Sequence, residues 1–155
     1  MKLVLISATL CLIVIIGAPL LLCYVLRDSQ PVIACTAVDD SVESRRRCLM
    51  NPFRDRQPEL QAEEILRELK NGNTDALIPY LKDLDEERKN RIMSNERQYP
   101  IEHWEFGERG QSIIESEVVY WVTRKDYPGA QPEKVAFLFK RAGNEWKLRY
   151  FTAVY

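Results

Sequence analysis

Residues 133–154 read EKVAFLFKRAGNEWKLRYFTAV, and their pattern sets the fold class. Val135, Phe137 and Phe139 alternate with other residues, which is the period-two signature of a strand with one buried face. Ala142-Gly143-Asn144 is a tight-turn sequence, and alternation resumes beyond it, so the stretch predicts a β-hairpin. On the second arm, alternation puts Trp146, Leu148, Tyr150, Thr152 and Val154 on one face. Lys147 and Arg149 then share the opposite face with Phe151. A closing strand with aromatic residues on both faces predicts a sheet whose second side is partly covered, by curvature, a partner or a ligand.

Working back along the chain, Ser112–Lys125 also alternates and predicts a long strand. Ile114, Val118, Tyr120 and Val122 fall on one face and Ile113, Val119 and Trp121 on the other. Asp126-Tyr127-Pro128-Gly129 predicts the turn after it. Tyr99–Phe106 predicts a further strand, with Gly107-Glu108-Arg109-Gly110 as the turn that follows. Before Tyr99 the period is helical. Pro58–Lys70 predicts an amphipathic helix with Leu60, Ile65, Leu66 and Leu69 roughly co-facial. Asn71-Gly72 ends it. Thr74 caps a short helix that Pro79 limits to a turn or two. A charged helix is predicted over about 85–94, with Ile92 and Met93 as its inward anchors.

The N-terminal end is of a different kind. Leu3 through Leu26 carry no charged residue, and about 20 apolar residues suffice for a membrane-crossing helix. Ala18 is followed by Pro19, which disfavours signal cleavage there. The reading is a transmembrane anchor, or an uncleaved signal, over residues 1–26. A linker follows over 27–56 and an α+β domain over 57–155. Ala34-Cys35 locally resembles a bacterial lipidation site, but Arg27, Asp28 and Pro31 separate it from the apolar run. The positive-inside rule leans slightly toward a cytoplasmic domain. The short N-terminal tail instead matches the arrangement with the domain outside, and we take the expected location as the cell membrane, single-pass, with an extracytoplasmic domain.

Cys35 and Cys48 lie beyond the apolar run and are candidates for a disulfide in an oxidising compartment, the alternative being two free thiols. With 22 basic and 23 acidic residues, net charge is −1, so no basic face suggests nucleic acid. His103 is the only histidine, and the cysteine spacing fits no metal site. No motif calls for a cofactor. For catalysis the weak candidates are His103 and Glu115, as general bases beside an apolar wall. For binding, the candidates are Trp104, Trp121, Lys147, Arg149 and Phe151.

The order of elements resembles the nuclear-transport-factor-2-like, or cystatin-like, superfamily. The residues that carry the resemblance are ILRELKNGNTDALIPYL (65–81) and FLFKRAGNEWKLRYF (137–151). Similar domains occur behind N-terminal anchors in small bacterial proteins. The resemblance implies three helices packed on a curved antiparallel sheet of about four strands, shaped as a cone. It also implies an apolar pocket, and members that are isomerases, dehydratases or hydrolases stand beside others that only bind. Fold does not choose among these. The expected function is a membrane-anchored, non-catalytic binding domain acting through the sheet face or the cone pocket. Its expected partners are the membrane through residues 3–26, and a second copy, another protein or a small apolar ligand. The alternatives are a pocket enzyme and an immunity-type protein.

Overall fold

The computed structural model describes residues 2–37, 46–82, 84–126 and 132–153, with the side chains of 2–10, 37, 46 and 153 excepted. The chain runs α1 (Lys2–Val25), β1 (Val32–Ala37), β2 (Arg46–Met50), α2 (Gln57–Lys70), a 3₁₀ helix (Thr74–Tyr80), α3 (Glu86–Gln98), β3 (Ile101–Gln111), β4 (Glu115–Arg124), β5 (Glu133–Ala142) and β6 (Glu145–Ala153). β3 to β6 form an antiparallel meander in sequence order, and β1 and β2 form a separate two-stranded ribbon.

The core lies between the helices and one face of the meander. Ala62, Ile65, Leu66 and Leu69 of α2 and Leu77 of the 3₁₀ helix meet Val118, Tyr120, Val122, Val135, Phe137 and Phe139. These helical positions recur at three- and four-residue steps, which keeps them on one stripe. Leu60 is off that stripe and 53% exposed, so it is not the core residue its rough alignment predicts. Asp85 caps α3 by accepting a hydrogen bond from the Arg88 amide at 2.8 Å. That bond favours the carboxylate and lowers its pKa. Ile92 and Met93 pack against the core from α3.

Two bulges redirect side chains. Gly107 does not lie in a turn. β3 runs through it to Gln111, and the register slips between Phe106↔Tyr120 and Glu108↔Val119. A β-carbon at 107 would stand 3.1 Å from the Trp121 indole nitrogen and from the Val119 carbonyl oxygen, so the bulge is built around a residue without a side chain. Its consequence is that Arg109 turns inward. In β6 the register slips between Leu138↔Tyr150 and Phe139↔Leu148. Arg149 is the extra residue, and the alternation reverses beyond it. Phe151 is therefore in the core and Tyr150 outside, 43% exposed, the opposite of strict alternation.

The stretch expected as a linker holds β1 and β2. Cys35 and Cys48 are register partners and are joined by a disulfide. Cys48 Sγ lies 4.0 Å from the Gly107 carbonyl, which sets the ribbon beside the β3 bulge. Asn51 is buried and fixes the approach of α1. Its amide donates to the Cys23 carbonyl at 2.7 Å and to the Gln30 carbonyl at 3.3 Å. Tyr24 meets Phe53 edge-on at 5.7 Å.

The transmembrane anchor expected over residues 1–26, and the single-pass signal-anchor reading with it, are corrected. Among the described residues, no helix is long and apolar enough to cross a membrane. The large apolar side chains between Leu12 and Leu22 are exposed. The fold is thus α+β, with an N-terminal helix, a disulfide-closed ribbon and a helix-covered four-stranded sheet.

Candidate functional site

The residues singled out from sequence separate onto different surfaces. Trp104 is on the inner face, half-buried against the core, with Lys70 Nζ 5.7 Å from its ring centre. Phe151 is buried beside Phe137, ring centres 5.3 Å apart. Phe151 is closed to a partner and leaves the candidate binding set, while Trp104 is half-buried on the face that the helices cover. Trp121, Lys147 and Arg149 remain at the surface: Trp121 half-buried, the two cations exposed.

The catalytic candidates are both exposed. His103 has a 64% exposed side chain and lies 3.7 Å from Glu105. Glu115 is exposed at the start of β4. The space between the helices and the sheet is filled by the apolar core, with Tyr120, Phe137 and Phe139 fully buried. A general base needs a reaction cavity from which it can reach a substrate proton, and neither residue lines any of the described grooves.

Two buried polar clusters fasten the helices to the sheet, and neither was legible as a cluster. In the first, Arg109 and Glu59 pair at 3.2 Å with side chains 0% and 3% exposed. Arg54 adds a second contact to Glu59 at 3.0 Å. Arg109 also donates to Ser116, to Gln111 and to the Asp55 carbonyl. Asp55 in turn accepts from the Trp146 indole at 2.8 Å. Desolvation lowers the Arg109 pKa, and Glu59 opposes that shift. The neighbouring Tyr120 hydroxyl, 3.3 Å from a Glu63 oxygen, has its pKa raised, first by burial and then by Glu63 and Glu59. In the second cluster, Arg124 holds Glu96 of α3 by two bonds of 2.7 and 2.9 Å and Glu133 of β5 by one of 2.7 Å. Buried ion pairing, helix-to-sheet placement and lack of access make these clusters fasteners.

The outer face of the meander lies opposite the one on which α2 and the 3₁₀ helix pack. Trp121 and Leu138 are half-buried there, with Tyr150 exposed beside Leu138 across the β5–β6 pair. Around them the charges are unevenly shared between strands: Glu105, Glu108, Glu115 and Glu117 belong to β3 and β4, and Lys134, Lys140, Lys147 and Arg149 to β5 and β6, with Glu145 at the start of β6 as an acid among the bases. Lys134 crosses to Glu108 at 3.2 Å. Among the described residues, no group of His, Cys, Asp and Glu could hold a metal ion.

No family model, curated protein or solved structure matches this chain.

Proposed function

We propose that residues 57–155 form a non-catalytic binding domain that associates through the outer face of its sheet, with a second copy of the chain as the partner. The observation that carries this reading is the pattern on that face: aromatic and aliphatic side chains at Trp121, Leu138 and Tyr150, with acids predominating on β3 and β4 and bases on β5 and β6. Two copies related by a two-fold axis bring each acidic half over a basic half, which is the self-complementarity that an isologous contact requires. Trp and Tyr suit the centre of such a contact because they bury large areas at low entropic cost. The likeness to the nuclear-transport-factor-2-like layout is supported by the sequential meander with three helices on one side, and it is part of the proposal.

Sedimentation equilibrium tests the reading. The unaltered chain is expected to be dimeric, and Lys147→Glu with Arg149→Glu is expected to weaken the dimer at least tenfold while leaving thermal stability within a few degrees. Equal association of the variant and the parent would rule out this face.

The bond between Cys35 and Cys48 supports an extracytoplasmic location, because cytosolic thiols are kept reduced. Thiol labelling of intact cells with a membrane-impermeant reagent, read by peptide mass spectrometry, tests this. Cys35 and Cys48 should take up label only after reduction. Labelling of both after lysis, without reduction, would place the domain in the cytoplasm.

A further inference from the structure

We propose that a groove on the helical side of the domain, between the 3₁₀ helix and α3, binds a small carboxylate carried on an apolar chain. The groove encloses about 360 Å³, within the range of small-ligand sites. It is distinct from the filled cone interior and lies on the opposite side from the outer sheet face, so the inference is independent of the proposed dimer.

Its lining has two parts. The floor is apolar: Leu81 is buried, Met93 half-buried, and Ile78 is 52% exposed. A large aliphatic side chain left in water beside an open groove gains about 25 cal/mol for each Å² that a ligand covers. Met93 adds an unbranched, polarisable surface that adapts to a flexible chain. The rim is cationic. Lys82, Lys89 and Arg97 face the groove with Glu86 as the one acid, an excess of two positive charges. Glu86 is held by Lys89 at 2.7 Å. Arg97 donates from Nε to the Thr74 hydroxyl at 3.2 Å, which orients the guanidinium while leaving its two terminal nitrogens to form a fork for a carboxylate. Among the described residues, no carboxylate bridges Lys82. An apolar floor with a net positive rim selects an anionic amphiphile over a neutral one.

Octanoate and 1-octanol, titrated into the full chain labelled at its methyl groups, separate the possibilities by NMR. The expected result is saturable shifts at Ile78, Leu81 and Met93 with octanoate, at least tenfold weaker with octanol. Lys82→Glu, at an exposed position, should weaken octanoate binding about tenfold, whereas Lys82→Arg retains it. Met93→Trp should block it by filling the groove. Shifts confined to α1 or to the sheet, or no saturable shift at these three methyls, overturn the proposal. Equal binding of octanol overturns it as well, since the cationic rim would then play no part.

Discussion

Arg124→Leu should cost the domain about 3–5 kcal/mol, the size of effect seen when one member of a buried ion pair is removed. Arg124 is 1% exposed, as is Glu96, and Glu133 is 6% exposed. Leucine fills much of the volume but leaves two carboxylates in the interior without their cation. One of the four carboxylate oxygens, Glu133 Oε1, already has no hydrogen-bond partner among the described residues, so the cluster has little polar support to spare. Urea unfolding followed by tryptophan fluorescence measures the loss as a shift in midpoint at unchanged slope. Replacing Glu96, Arg124 and Glu133 together by leucine should recover most of it, because the desolvation penalty disappears with the charges. A loss below about 1 kcal/mol for Arg124→Leu, the size of a surface pair, would show that the cluster is open to water.

Glu59→Leu is the second large effect, again about 3–5 kcal/mol. Here the stranded charge is the Arg109 guanidinium, whose side chain has no exposure and which stays protonated at any ordinary pH. Arg54 loses its main acceptor at the same time. Glu59→Gln keeps an oxygen in place and should cost less than half as much. The two variants therefore separate lost charge from lost hydrogen bonding. Trp146 gives a local readout, since its indole is tied to Asp55 in the same cluster. Its fluorescence should change in Glu59→Leu under conditions where the rest of the domain is still folded. An unchanged Trp146 signal together with a small stability loss would show that α2 is held by its apolar stripe alone.

Both effects concern residues that look ordinary in the sequence. Glu59 reads as a first-turn acid of a helix and Arg124 as the polar end of a strand. Periodicity finds apolar stripes, and it found Ile65, Leu66 and Leu69 of α2 and Val135, Phe137 and Phe139 of β5 without difficulty. It has no means of pairing an acid at 59 with a base at 109, because nothing local links positions fifty residues apart. Alternation also fails wherever a strand gains a residue. One bulge at Arg149 exchanged the faces of Tyr150 and Phe151, and another at Gly107 turned an expected turn into continuous strand. Of the proposed binding residues, Trp121, Lys147 and Arg149 remained at the surface. Phe151 went into the core, and Trp104 is half-buried against it. His103 and Glu115, each conceivable as a base along one dimension, stand exposed on the sheet and line none of the described grooves.

By itself the sequence determined the class of the domain: helices first, then a meander closed by the Ala142-Gly143-Asn144 hairpin. Those features rest on local periodicity and turn chemistry, which a few neighbouring residues suffice to specify. Only the tertiary structure decided which face of β6 is buried, that Cys35 and Cys48 are bonded, and that Arg109 and Arg124 lock the helices to the sheet. It also decided that the groove between the 3₁₀ helix and α3 stands open while the space between helices and sheet is filled. Each of these depends on strand register or on packing between distant segments, and the energies that fix them come from groups the linear order keeps apart.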